Sequence, residues 1–181
     1  MFHSIELGSR PVCSARHKHC ATVKVMSDNI SFTRNLVKGR IAETVFAQMF
    51  RDHGRYTVLE FGYEKVVPQL VGRNYDHNSP VIENLRVAPD FAVINQDSKE
   101  VRLIEVKFRQ ILDSSKVLNI ARRMHKSWSP SYLFIATLDG FYFGEVNEII
   151  KKNGEISKLD EIPVDEQSKY LQLLIGFENR Q

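Results

Sequence analysis

The sequence predicts a three-layer α/β domain, a central mixed sheet of about four to six strands with helices against both faces. Three observations predict it. Apolar residues recur at helical spacing from residue 32 to residue 50; two short β-rich runs, 87–94 and 101–108, flank a polar turn; and an amphipathic basic helix leads into a nearly continuous apolar run at 131–138. The length of 181 residues suits one domain with a sizeable core, and 43% hydrophobic with 26% charged residues excludes a disordered or fibrous chain. No run of eighteen apolar residues exists, and Met1-Phe2-His3-Ser4-Ile5-Glu6 lacks the basic-then-apolar layout of a signal peptide. The expectation is a soluble cytoplasmic protein with no membrane partner. Two cysteines are too few for a disulfide scaffold.

Residues 1–26 read as a poorly defined basic segment preceding a single domain at 27–181, with one short strand candidate at Ala21–Met26. Cys13, His17, His19 and Cys20 are four potential zinc ligands within eight residues, cramped for a tetrahedron, so the stretch reads first as a flexible basic segment. Ser27-Asp28-Asn29 offers caps for a helix with apolar positions at Phe32, Leu36, Ile41, Val45, Phe46, Met49 and Phe50, and His53-Gly54 closes it. Glu43 falls near that stripe. By itself it reads equally well as an exposed helical glutamate.

Tyr56–Glu64 reads as the first strand, with Glu60 more naturally on a solvent face than in a site. Residues 65–86 read as a long loop whose Arg73, Asn74, Tyr75 and His77 suit phosphates and bases, or else as a surface insertion. Val87–Ile94 and Val101–Phe108 read as a buried hairpin turned by Asn95-Gln96-Asp97-Ser98. Asp90 stands at the mouth of its first strand. Glu105 and Lys107, two residues apart on the second, point to one face. Charges in an apolar strand cost several kcal/mol unless paired. Two converging carboxylates suit Mg²⁺, which keeps waters for substrate phosphates, and a lysine beside it would orient or deprotonate a water. A surface hairpin whose charges pair with one another is the alternative reading of the same three residues.

Arg109 is placed to share the face of Glu105 and Lys107, where a guanidinium suits a phosphate, and Gln110 follows as a weaker candidate. Asp113-Ser114-Ser115 caps a helix through Val117, Leu118, Ile120, Ala121, Met124 and Trp128, whose polar side carries Lys116, Arg122, Arg123, His125 and Lys126. From Arg102 to Lys126 seven basic residues face two acids, net +5; from Asp139 to the end nine acids face five bases, net −4. A one-sided basic surface beside carboxylates fits nucleic-acid backbone as partner. Ser131–Leu138 reads as a strand buried on both faces, Phe141–Val146 as another after the Asp139-Gly140 turn, and Asn147–Lys152 and Val164–Ile175 as helices.

Taken in order, these parts resemble the PD-(D/E)XK nuclease superfamily, the restriction-endonuclease-like fold, over residues 30 to 146. The Lys38-Gly39-x-x-x-Glu43 helix is similar to the family's first motif, and Pro89-Asp90 with Glu105-Val106-Lys107 to its second and third. Archaeal-type Holliday-junction resolvases share a similar helix and hairpin. The resemblance implies a Mg²⁺- or Mn²⁺-dependent deoxyribonuclease. Asp90 and Glu105 would hold the metal with the Val106 carbonyl, Glu43 would complete the shell, and Lys107 would position the attacking water. Arg109 and Gln110 would contact the phosphate, and Arg73, Lys116, Arg122, Arg123 and Lys126 would bind DNA. A non-catalytic nucleic-acid-binding or assembly protein on the same fold, and a junction-specific or RNA-directed enzyme, remain as alternatives. The junction reading carries a homodimer with it, for which no interface is legible in the sequence.

Overall fold

The computed structural model describes residues 16–62 and 79–179. The chain divides between Val37 and Lys38 into two compact units. The first contributes the opening part of helix α1 (Arg16–Asp52). This helix starts eleven residues before the expected Ser27 cap, and the strand expected at 21–26 is helical. No glycine or proline lies between Arg16 and Lys38 to stop it, and helix propagates once nucleated. Phe32 and Leu36, expected in the buried stripe, are 69% and 55% exposed. Among the side chains that are described, the first buried one is Lys38.

The second unit, from Lys38 onward, holds a five-stranded sheet in the order β1 (Tyr56–Glu60), β2 (Phe91–Asn95), β3 (Val101–Phe108), β4 (Tyr132–Thr137), β5 (Gly140–Glu145). Only β3 and β4 run parallel; the other neighbours are antiparallel. A parallel pair needs a crossover, which α3 (Ser114–Ser127) supplies. Asp113 starts that helix as expected, its carboxylate accepting from the Ser115 and Lys116 amides. Helices α4 (Val146–Lys151) and α5 (Val164–Asn179) follow the sheet. The result is the three-layer α/β core, a mixed sheet with helices on both faces, that the sequence points to.

The two faces of the sheet carry separate cores. Ala42, Val45, Phe46, Met49 and Phe50 recur on one side of α1 and pack with Tyr170 and Leu174 of α5 onto Val58, Phe91, Val93, Ile104, Val106 and Phe134. Val117, Ile120, Ala121 and Met124 of α3 pack with Val146 and Ile149 onto Leu133 and Ile135. Alternation along β4 thus sends Phe134 to the α1 face and Leu133 and Ile135 to the α3 face.

Two boundaries near Asp90 differ from expectation. β1 ends at Glu60, because the Phe61 and Gly62 amides both turn to the Asp90 carbonyl, at 2.9 and 3.1 Å. β2 begins at Phe91, since Pro89 has no N–H to extend the ladder. Part of the expected 65–86 loop is helix α2 (Pro80–Arg86), with proline in its first turn; Arg73, Asn74, Tyr75 and His77 lie outside the described residues. So does Cys13, and the His17, His19 and Cys20 side chains are likewise not described. No helix among the described residues is long and apolar enough to cross a membrane.

α3 is seated by a backbone contact at its start. Gly154, after α4, has φ +90°, and a Cβ there would lie 2.0 Å from the Ser114 carbonyl oxygen. Gly154→Ala therefore combines left-handed strain with a backbone clash. It should cost about 3 kcal/mol of unfolding free energy, read as a lower midpoint in urea denaturation; an unchanged midpoint would contradict this seating.

Candidate functional site

The hairpin brings Asp90, Glu105 and Lys107 together. Glu105 and Lys107 register against Leu133 and Ile135, so both side chains point to the α3 face. Lys107 Nζ lies 2.5 Å from Glu105 Oε1 and 3.9 Å from Asp90 Oδ2. Asp90 Oδ2 also accepts the Val106 amide at 2.8 Å. With its carbonyl held by Phe61 and Gly62, Asp90 is fixed through backbone and side chain together.

Burial sets the electrostatics. Glu105 is 7% exposed, whereas the Lys107 and Asp90 side chains keep 28% and 23% exposure. Desolvation pushes the Glu105 carboxyl above its ordinary range; Lys107 and Arg123 pull it back, and Asp90 adds to the rise. Lys107 thus occupies the place where a cation relieves two crowded acids.

Further along the chain, the Arg109 amide donates to the Ala136 carbonyl at 2.9 Å, which prolongs the β3–β4 ladder by one residue. Its guanidinium is half-buried and donates to the Phe108 carbonyl at 2.7 Å. Desolvation, and then the nearby Arg123 charge, lower its pKa. Gln110 is exposed, as are Lys116, Arg122, Arg123 and Lys126 on α3. Lys116 lies 3.5 Å from Asp113.

Glu43 departs from expectation. It sits on α1, which packs against the opposite face of the sheet from Glu105 and Lys107. Its carboxylate accepts from Arg40 at 2.9 Å. Among the described residues no three His, Cys, Asp or Glu side chains are grouped to hold a metal ion. Asp90 and Glu105 are brought together at Lys107, while α1, the helix that carries Glu43, packs on the other face. Glu60 is exposed, at the end of the edge strand β1.

Sequence reasoning did not find the buried pair Lys38–Glu178. Lys38 is 7% exposed, its Nζ lies 2.7 Å from Glu178 Oε2 on α5, and it stands 5.6 Å from the centroid of the Phe108 ring. The two residues are 140 positions apart, and no local pattern links them.

Two carboxylates, one buried and one at the rim, fit a hard divalent cation of the Mg²⁺ or Mn²⁺ type, which is often held by one or two carboxylates with water and substrate oxygens completing its shell. They do not form a closed all-protein cage.

No protein-family model matches the chain, and no curated protein matches it. Among solved structures, a Holliday junction resolvase from Archaeoglobus fulgidus, an archaeal hyperthermophile, aligns over 75% of this chain and 99% of its own, at 14% identity and a TM-score of 0.37.

Because the folded state raises the Glu105 pKa, it favours the protonated form, and stability is lost as pH rises through that raised value. Glu105→Gln should then be more stable than the parent at pH 7 by about 1 kcal/mol, or about 2–4 °C in Tm. The gain should shrink as pH falls and Glu105 itself takes up a proton. Thermal melts across pH check this; equal or lower stability of the variant at pH 7 would contradict the burial argument.

Proposed function

We propose that this chain is a divalent-metal-dependent nuclease that hydrolyses phosphodiester bonds of DNA. The observation that carries the reading is the cluster of Asp90, Lys107 and Glu105 on one face of a sheet, joined at 3.9 and 2.5 Å. In this reading Asp90 and Glu105 hold Mg²⁺ or Mn²⁺. The Val106 carbonyl joins them as a ligand, because in an extended strand the N–H and C=O of one residue face the same neighbour, and the Val106 N–H faces Asp90. The bound ion supplies Lewis acidity to a phosphoryl oxygen and lowers the pKa of water.

The chain's own residues do the rest. Asp90, clipped to the Val106 amide, keeps its carboxylate from swinging away when the site is empty of substrate. Lys107, beside both carboxylates, would orient the attacking water by donating a hydrogen bond to it. Arg109 and Gln110 contact substrate phosphate next to the carboxylates, while Lys116, Arg122, Arg123, Lys126 and Arg73 bind the backbone. Glu43 extends the shell only by leaving Arg40. The Arg40–Glu43 pair is the one observation that favours the alternative, a non-catalytic DNA-binding protein on this fold. A junction substrate and a symmetric homodimer belong to the same proposal at a finer level.

The test is cleavage of supercoiled, linear, single-stranded and four-way-junction DNA in Mg²⁺ or Mn²⁺, with and without chelator. Asp90→Asn and Lys107→Ala should each lower the rate at least about 100-fold with far-UV circular dichroism unchanged, and chelator should abolish cleavage. Full activity in either variant would overturn the assignment of the site. Retained DNA binding with no cleavage of any substrate would select the binding protein.

A further inference from the structure

We infer that Arg109 and Arg123 form a seat for one phosphate group, the one flanking the phosphodiester held at Asp90, Glu105 and Lys107. The inference rests on the nuclease reading for the identity of the neighbouring site, and on the following geometry for the seat itself. Glu105, Lys107 and Arg109 are alternate residues of one extended segment whose ladder to β4 continues through the Arg109 amide. Alternation therefore puts all three on the α3 face. α3 is packed on that same face through Ile120 and Met124, the residues that bracket Arg123. Arg123 is close enough to act electrostatically on both Glu105 and Arg109. Lys107, Arg109 and the helix that carries Arg123 thus share the face that carries the two carboxylates.

Among the described residues neither Arg109 nor Arg123 is ion-paired to a carboxylate at contact distance; the Arg109 guanidinium donates to the Phe108 carbonyl. Two like charges kept together, one of them half-buried, repel each other unless an anion lies between them. A tetrahedral phosphate fits, since planar guanidiniums donate in parallel pairs to its oxygens. The seat is distinct from the reacting position, because Lys107 and the two acids occupy the latter. It also has a direction. Lys116, Asn119, Arg123 and Lys126 follow one another at helical spacing along one exposed flank of α3. At 1.5 Å rise per residue that flank is about 15 Å long, enough to follow a strand past more than one phosphate. The substrate strand accordingly leaves the reacting position along α3, and Arg109 with Arg123 takes its first step.

The chemistry is shared by a free phosphate and a phosphate within a nucleic acid, so the experiment has two arms. In the first, inorganic phosphate is titrated against the metal-free protein by thermal shift. It should raise Tm of the parent, and Arg123→Gln, an exposed substitution that leaves the core untouched, should lose most of that rise, whereas Lys152→Gln on the far side of α4 should keep it. In the second, a DNA substrate carries a single neutral methylphosphonate linkage stepped along the strand on either side of the cut. The parent should lose rate most sharply with the neutral linkage at one flanking position. Arg123→Gln should raise KM about tenfold, more than it changes kcat, and become indifferent to that linkage. No Tm rise in the parent, or the same rise in Arg123→Gln, overturns the seat. An unchanged methylphosphonate profile in the variant overturns its place beside the cut. If the parent cleaves no phosphodiester while phosphate protection is still lost in Arg123→Gln, the nuclease reading falls and the seat stands. Cleavage with an intact profile in the variant has the converse meaning.

Discussion

One hydrogen bond decides the local geometry of the site, the 2.8 Å bond from the Val106 amide to Asp90 Oδ2. β2 pairs with β3 only as far as Phe91 and Ile104. The next β3 amide on that edge belongs to Val106, and it would be orphaned at a cost of about 1–3 kcal/mol without an acceptor. Asp90 supplies the acceptor from its side chain instead of its backbone. Its own carbonyl is thereby free for Phe61 and Gly62, which end β1 at the same level. A carboxylate that completes a sheet ladder cannot turn away from Lys107, so the acid and the amine stay together because the backbone requires it.

The second constraint is the separation of the two cores. α1 and α5 cover one face and α3 with α4 the other, so side chains of β3 alternate between an apolar environment and the charged cluster. Ile104 and Val106 anchor the strand while Glu105 and Lys107 face α3. The same alternation sets Glu43 apart, since a residue of α1 reaches the charged cluster only around the end of the sheet. Its pairing with Arg40 is the local solution for an acid in that position.

Electrostatically the site is held under tension. Glu105 is buried enough to resist ionisation and is kept serviceable by Lys107 and Arg123. Arg109 is disfavoured as a cation by the same burial and by Arg123. Lys38 and Glu178 tie α1 to α5 beside Phe108 at the end of the same strand.

Much of this was legible in the residues alone. A run of β-branched and aromatic residues located β3, a nearly continuous apolar run located β4, the Asn95–Ser98 turn located the hairpin, and Asp113 located the start of α3, because each is a local signal read within a few residues. The spacing of Glu105 and Lys107 on one strand likewise settled that they share a face. What tertiary structure alone decided was which elements share a face with them. It put α1, the helix that carries Glu43, on the other face, brought Arg123 into electrostatic range of Glu105 and Arg109, ended β1 at the Asp90 carbonyl, and joined Lys38 to Glu178 across 140 residues. Periodicity along one segment fixes the direction of a side chain relative to its own backbone; which neighbour it meets depends on how separate segments pack, and that is carried by no single stretch of sequence.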